Sequence, residues 1–113
     1  MPFYCGYRKI RNFCIRQGNF NNEIGVPHTL FGLGKEHDYA VLELGANHPG
    51  EIRYLAGLVK PTVAVVNNAG AAHLEGFGDL DGVARGKGEL FESLRTNAIA
   101  IVNNDDEYAD YWR

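Results

Sequence analysis

The chain has 113 residues, a mass of 12.5 kDa and a formal net charge of −3 at pH 7. The length fits one domain and is by itself too short for a multi-domain enzyme. Hydrophobic residues at 45% suit a globular domain, and apolar runs such as Val63–Val66 fall far short of the about 20 residues of a membrane helix.

Residues 1–11 have no clear period and scattered aromatics (Phe3, Tyr4, Tyr7). A short strand is expected over Asn12 to Arg16, followed by the polar loop Gln17 to Asn22. Asn21 or Asn22 can cap a helix that reaches about Leu33, with Ile24, Leu30, Phe31 and Leu33 on its apolar side. Pro27 is tolerated early in that helix, and Gly34 is a stop signal. Asp38 to Gly45 reads as a buried strand. Pro49-Gly50-Glu51 opens a helix with Ile52, Leu55, Leu58 and Val59 facing inward, and Lys60-Pro61 ends it. Thr62 to Asn67 is a second apolar strand, followed by a Gly/Ala/His loop from Ala69 to Gly78. A helix is expected from about Leu80 to Leu94, a third strand over Ala98 to Val102, and the start of another helix within Asp105 to Arg113. Near-continuous apolar strands alternating with helices predict an α/β fold, a three-layer parallel sheet with helices on both faces. In such sheets ligands bind beyond the carboxyl ends of the strands, which here hold Glu43, Asn67-Asn68 and Asn103-Asn104.

Charge is divided unevenly. Residues 1–22 carry Arg8, Lys9, Arg11 and Arg16 and no acid, a net +4, whereas the remainder sums to −7. An acidic body argues against a nucleic-acid-binding domain. The basic start has no recognisable motif and reads as a solvated terminus. Two cysteines, Cys5 and Cys14, make no disulfide framework, and no apolar signal stretch opens the chain, so reduced thiols and a cytoplasmic location are expected.

Three residues break the pattern. Glu43 lies among Val41, Leu42 and Leu44 near a strand end, where a carboxylate is costly unless it is paired or bound to a cation. A metal ligand and a partner in a salt bridge both fit. Lys87 falls on the apolar stripe of its helix with Leu80, Ala84, Phe91 and Leu94. Its ammonium can snorkel to water, or desolvation can lower its pKa and make the amine usable. His73 sits after the second apolar strand, as either a surface histidine or a site residue; His28, His37 and His48 have weaker claims. Glu43, His73 and Lys87 near one sheet edge would form a mixed hard-ligand set suited to Mg²⁺. Structural zinc is disfavoured because the cysteines lie far off and lack paired spacing. Asn67-Asn68-Ala69-Gly70 is like an element of short-chain dehydrogenases, but no Tyr-x-x-x-Lys and no dinucleotide loop accompany it. No Gly-x-x-x-x-Gly-Lys-[Ser/Thr] phosphate loop occurs in the chain.

Four segments follow one another in a fixed order. They are Gly18-Asn-Phe-Asn-Asn-Glu-Ile-Gly-Val-Pro27, Glu43-Leu-Gly-Ala-Asn-His-Pro-Gly-Glu-Ile52, Ala72-His-Leu-Glu-Gly-Phe-Gly78 and Lys87-Gly-Glu-Leu-Phe91. Together, over roughly residues 12 to 112, they resemble the central ATP-binding domain of the Mur ligases of peptidoglycan synthesis. The likeness is strongest to the members that add D-alanyl-D-alanine to UDP-N-acetylmuramoyl-tripeptide.

The resemblance implies ATP and Mg²⁺ as cofactors. It implies that Glu43 and His73 bind Mg²⁺, and that Lys87 is carbamoylated and helps hold the metal and the reacting phosphate. It places Asn22 at the nucleotide and substrate site, with Asn19 beside it. The implied reaction transfers the γ-phosphoryl group of ATP to a peptide carboxylate. The amine of D-alanyl-D-alanine then attacks the acyl phosphate. The implied partners are UDP-N-acetylmuramoyl-tripeptide, D-alanyl-D-alanine and the ligase domains not represented here, with no nucleic acid and no membrane insertion.

The resemblance also has departures. The family's phosphate loop precedes the Gly-Asn-Phe-Asn-Asn segment, and residues 1–17 hold none. The expected organisation is therefore an atypical basic segment, residues 1–11, followed by a partial central domain, residues 12–113, P-loop-NTPase-like but without the phosphate loop. The isolated chain is expected to be a marginally stable fragment that binds ATP weakly and ligates nothing. A non-catalytic α/β module, another Mur-family ligase acting earlier on the stem peptide, and a folylpolyglutamate synthetase type remain the alternatives.

Overall fold

The computed structural model describes residues 13–15, 22–71 and 74–113. The expectations for residues 1–11, Asn19 and His73 lie outside them. The chain divides into two units, Met1–Glu43 and Leu44–Arg113.

In the first unit, strand β1 (Phe13–Ile15), helix α1 (Gly25–Phe31) and strand β2 (Tyr39–Val41) follow in order. The strands pair in parallel, Phe13 opposite Tyr39 and Ile15 opposite Val41. A parallel pair needs a crossover, and the α1 segment supplies it. Asn22 lies two residues before the N-cap, Ile24, and its Oδ1 accepts from the amides of Ile24 at 3.2 Å and Gly25 at 2.9 Å. These are orphan donors of the first turn.

Two expectations about this unit need correction. The buried side of α1 is Gly25 and Val26, whereas Ile24 and Phe31 are 72% and 90% exposed. A seven-residue helix has too few turns for its apolar residues to define one stripe. Strand β2 is shorter than Asp38 to Gly45 and is exposed rather than buried, including Tyr39 and Val41.

The second unit runs through α2 (Glu51–Val59), β3 (Val63–Val66), α3 (Leu74–Phe77), α4 (Leu80–Glu92), β4 (Ile99–Val102) and α5 (Ala109–Trp112). Helix α2 buries Ile52 and Leu55 as expected, and Ala56 with them. It stops at Lys60, which takes a left-handed φ of 51° directly before Pro61. Helix α4 starts at Asp79, whose side chain accepts from the Gly82 amide at 2.7 Å.

Strands β3 and β4 pair in parallel, from Val63 opposite Ile99 to Val66 opposite Val102. The parallel pairs bear out the α/β class. Burial on both faces is not observed here. In β3, Ala64 and Val66 point into the core, while Val63 and Val65 are exposed, as are Ile99 and Ile101 of β4. Strand β3 alternates like a strand covered on one side, whereas β4 is exposed from Ile99 through Ile101.

The core joins Val66, Ala69, Ala84 and Trp112, with Leu80, Leu90, Phe91, Val102 and Tyr108 packed against it. Trp112 places its indole N–H 2.9 Å from the Ala84 carbonyl, so the buried donor is satisfied. Leu80, Ala84 and Phe91 are on the expected inner stripe of α4. A second face of that helix, with Gly82, Gly86 and Glu89, is also buried. Helix α4 therefore packs on two sides. The one-turn helix α3 lies inside a segment expected to be loop.

Candidate functional site

The carboxyl ends of β3 and β4 are joined by hydrogen bonds between loops. The Asn103 side chain donates to the Asn67 carbonyl at 2.9 Å. The Ala69 amide donates to one Asp106 oxygen at 3.0 Å, and the Tyr108 amide to the other at 2.9 Å. Asp106 thereby ties the turn after β3 to the turn after β4.

Lys87 reaches this corner from α4. Its Nζ donates to the Asn68 carbonyl at 2.6 Å and lies 3.3 Å from Asn68 Oδ1. The side chain is half-buried. Loss of hydration holds its pKa below the ordinary lysine value of 10.5, and the negative charge of Asp106 opposes that shift in part. The amine is thus directed to the loop that follows β3, in hydrogen bonds that are themselves exposed.

A second arrangement lies at the start of α2. The loop before α2 carries Asn47 and His48, whose amides donate to Glu51 Oε2 at 2.6 and 3.1 Å. His48 Nδ1 lies 3.2 Å from Glu51 Oε1. The Asn47 amide, with lesser help from His48, holds the Glu51 carboxyl below its usual range of about 4.5, against a smaller opposing effect of burial. Gly76 of α3 sits directly on this loop, since a Cβ there would overlap the Asn47 carbonyl oxygen. Only a glycine permits that approach. Gly82 and Gly86 bring α4 equally close to Phe77.

The other expected site residues are placed as follows. Glu43 lies two residues past β2, at the carboxyl end of that strand, and is exposed. Asn22 accepts from the Ile24 and Gly25 amides at the start of α1. His73 and Asn19 are outside the described residues. Among the described residues, no three His, Cys, Asp or Glu side chains converge as a metal site. Asp106 and Glu89 were missed by sequence reasoning. Asp106 had no signal beyond its nearness to a strand end. Glu89 had one, an acid at the same helical spacing as Gly82 and Gly86.

A model of the Mur ligase middle domain matches residues 5–113. The chain belongs to the Mur ligase family. The Mur ligase of Escherichia coli K12 that is named UDP-N-acetylmuramoyl-tripeptide–D-alanyl-D-alanine ligase is 61% identical over 89 residues, 79% of this chain and 20% of the relative. Its namesake in Haemophilus influenzae is 52% identical over 96 residues, 85% of this chain and 21% of the relative. The chain thus spans about a fifth of these curated Mur ligases. Among solved structures, a crystal structure of MurF from Acinetobacter baumannii superimposes with a TM-score of 0.89 at 45% identity. The superposition covers 92% of this chain and 23% of that one. MurF of Thermotoga maritima in complex with ADP gives a TM-score of 0.77 at 37% identity, over 84% of this chain and 22% of that one. No described helix is long and apolar enough to cross a membrane.

Proposed function

We propose that this chain is part of a cytoplasmic, ATP-dependent carboxylate–amine ligase that joins D-alanyl-D-alanine to UDP-N-acetylmuramoyl-tripeptide. The observation that carries this reading is the Lys87 amine held against Asn68 at the carboxyl ends of β3 and β4. The names of the relatives at 61% and 52% identity support the substrate pair, and the ADP complex of a structural neighbour supports the nucleotide.

The chemistry of Lys87 suits a carbamate. Desolvation favours the neutral amine, whose nitrogen can bond to the carbon of CO₂ and release a proton to solvent. The cation becomes an oxygen-bearing anion, a hard donor of the kind Mg²⁺ selects. Glu43 and His73 are the proposed companion ligands, and Asn19 and Asn22 the proposed nucleotide- and substrate-site residues. When bound, the metal would offset the charge gathered on the phosphates. The chain's own part is to hold the anion of Lys87 at the strand ends and the loop of Asn47 and His48 beside α3 and α4.

The chain contains no phosphate-loop motif, so the isolated 113 residues are proposed to be inactive. The test is ADP release that depends on both the tripeptide nucleotide and D-alanyl-D-alanine. It is measured in the longest native polypeptide carrying this sequence, beside its Lys87→Ala variant. Activity in the parent and none in the variant is expected. A parent with no such activity overturns the reading and leaves the non-catalytic α/β module.

A further inference from the structure

Helix α2 begins without a capping side chain of its own. Its N-cap is Gly50, at a φ of 90°. The amides of a first turn need acceptors from elsewhere. Glu51 serves Asn47 and His48 of the preceding loop, as described. The acceptor for the helix itself comes from α4: Glu89 Oε1 lies 2.8 Å from the Gly50 amide, and Oε2 lies 3.1 Å from the Arg53 amide. Both carboxylate oxygens are used, on donors 39 and 36 residues away in sequence.

Glu89 is only 8% exposed. Burying a carboxylate is unfavourable unless its charge is met. Here it is met by two charge-assisted hydrogen bonds and by the positive end of the α2 dipole. The nearby ion pair of Arg53 and Glu92, at 2.7 Å, is exposed on both sides and fixes little. Glu89 is therefore the directional link between the start of α2 and α4.

The link matters because of what each helix carries. The α2 start continues from the loop with Asn47 and His48. Helix α4 carries Lys87 two positions before Glu89, about 200° around the helix axis. One face of α4 thus presents the amine to the ends of β3 and β4, while the opposite face grips α2. The glycine contacts of Gly76 and Gly82 set the distances, but a glycine contact has no direction along the helix. Two hydrogen bonds to one carboxylate do.

We propose that Glu89 is a positioning residue for Lys87, one that fixes the register of α4 against the start of α2 and so sets where the amine meets Asn68. It touches no reactant; it acts through the start of α2. The inference rests on the proposed ligase function.

The test compares Glu89→Gln and Glu89→Asp in the longest native polypeptide. Glutamine keeps the shape but has one acceptor oxygen, so it can serve only one of the two amides. Aspartate keeps the charge but is a methylene shorter and cannot span both. If the register is what matters, each variant loses at least about tenfold in kcat, because small misplacements of reacting groups are costly. KM for ATP stays within about twofold, since binding contacts common to ground and transition states are untouched. Slowed hydrogen exchange at the Gly50 and Arg53 amides is lost in both. A role in stability alone would instead lower the melting temperature and leave kcat intact well below it. Either variant folded and with the parent's kcat overturns the inference. Aspartate remains informative should glutamine prevent folding. An inactive parent would overturn the functional reading itself, and the amide exchange still reports on the link.

Discussion

Replacing Gly82 by alanine should destabilise the protein even though alanine is the better helix former. Within a helix the exchange gains about 1 kcal/mol, from the backbone entropy that glycine loses on folding. Gly57, in α2, gives that gain by itself, because nothing lies within 4 Å of a Cβ placed there. At Gly82 the added Cβ would overlap the Phe77 carbonyl oxygen and lie 3.0 Å from the carbonyl carbon. That neighbour is backbone of α3 and cannot rotate aside. Overpacking of this kind costs about 1–3 kcal/mol, so the net loss is up to about 2 kcal/mol, and about 1 kcal/mol at mid-range, once the helix gain is subtracted. The assay is urea unfolding of the parent, Gly57→Ala and Gly82→Ala. For a chain of this size an m-value of about 1 kcal/mol/M converts these figures into midpoint shifts of about 1 M, upward for Gly57→Ala and downward for Gly82→Ala. A midpoint for Gly82→Ala at or above that of the parent would refute the close approach of α3 and α4.

Two further outcomes follow from the packing around α5. Truncating Trp112 to alanine removes the largest side chain of the core and should cost about 3–5 kcal/mol, whereas Trp112→Phe, which loses the bond to Ala84, should cost nearer 1 kcal/mol. Equal losses in urea unfolding would show that the bond and not the packing dominates. The Tyr108 hydroxyl donates to Asp81 at 2.5 Å, and this bond, with lesser effects of burial and nearby carboxylates, pushes its pKa up to about 12. A raised pKa means that the folded state favours the protonated phenol. The resulting stabilisation is complete below 10.0 and is lost as pH rises through about 12. The phenolate absorbance lost in Tyr108→Phe should titrate near that value, and Asp81→Asn should bring it back toward 10.0.

The elements were legible where local signals agreed. Pro49-Gly50-Glu51 and Lys60-Pro61 bracket α2 within a residue, and the apolar runs around Val63 and Ile99 mark β3 and β4. The strand-end rule led to Asn68 and Asn103, and the place of Lys87 on an apolar stripe led to the amine that meets Asn68. Burial was less legible. Val63, Val65, Ile99 and Ile101 have the composition of strands covered on both faces, but what covers a face is another element, and composition does not reveal which one is present. Helix α3 was missed because a single turn has no period to detect. Glu89 and Asp106 escaped for the same kind of reason: each is defined by backbone amides far away in sequence, from Gly50 to Ala69. No local pattern encodes such a partner.

The proposed function rests on Lys87 being carbamoylated. The most direct measurement is ¹³C NMR of the longest native polypeptide in labelled bicarbonate, with Lys87→Met as the reference. A carbamate carbon signal in the parent that is absent from Lys87→Met is the predicted result. Identical spectra from the two proteins would contradict it.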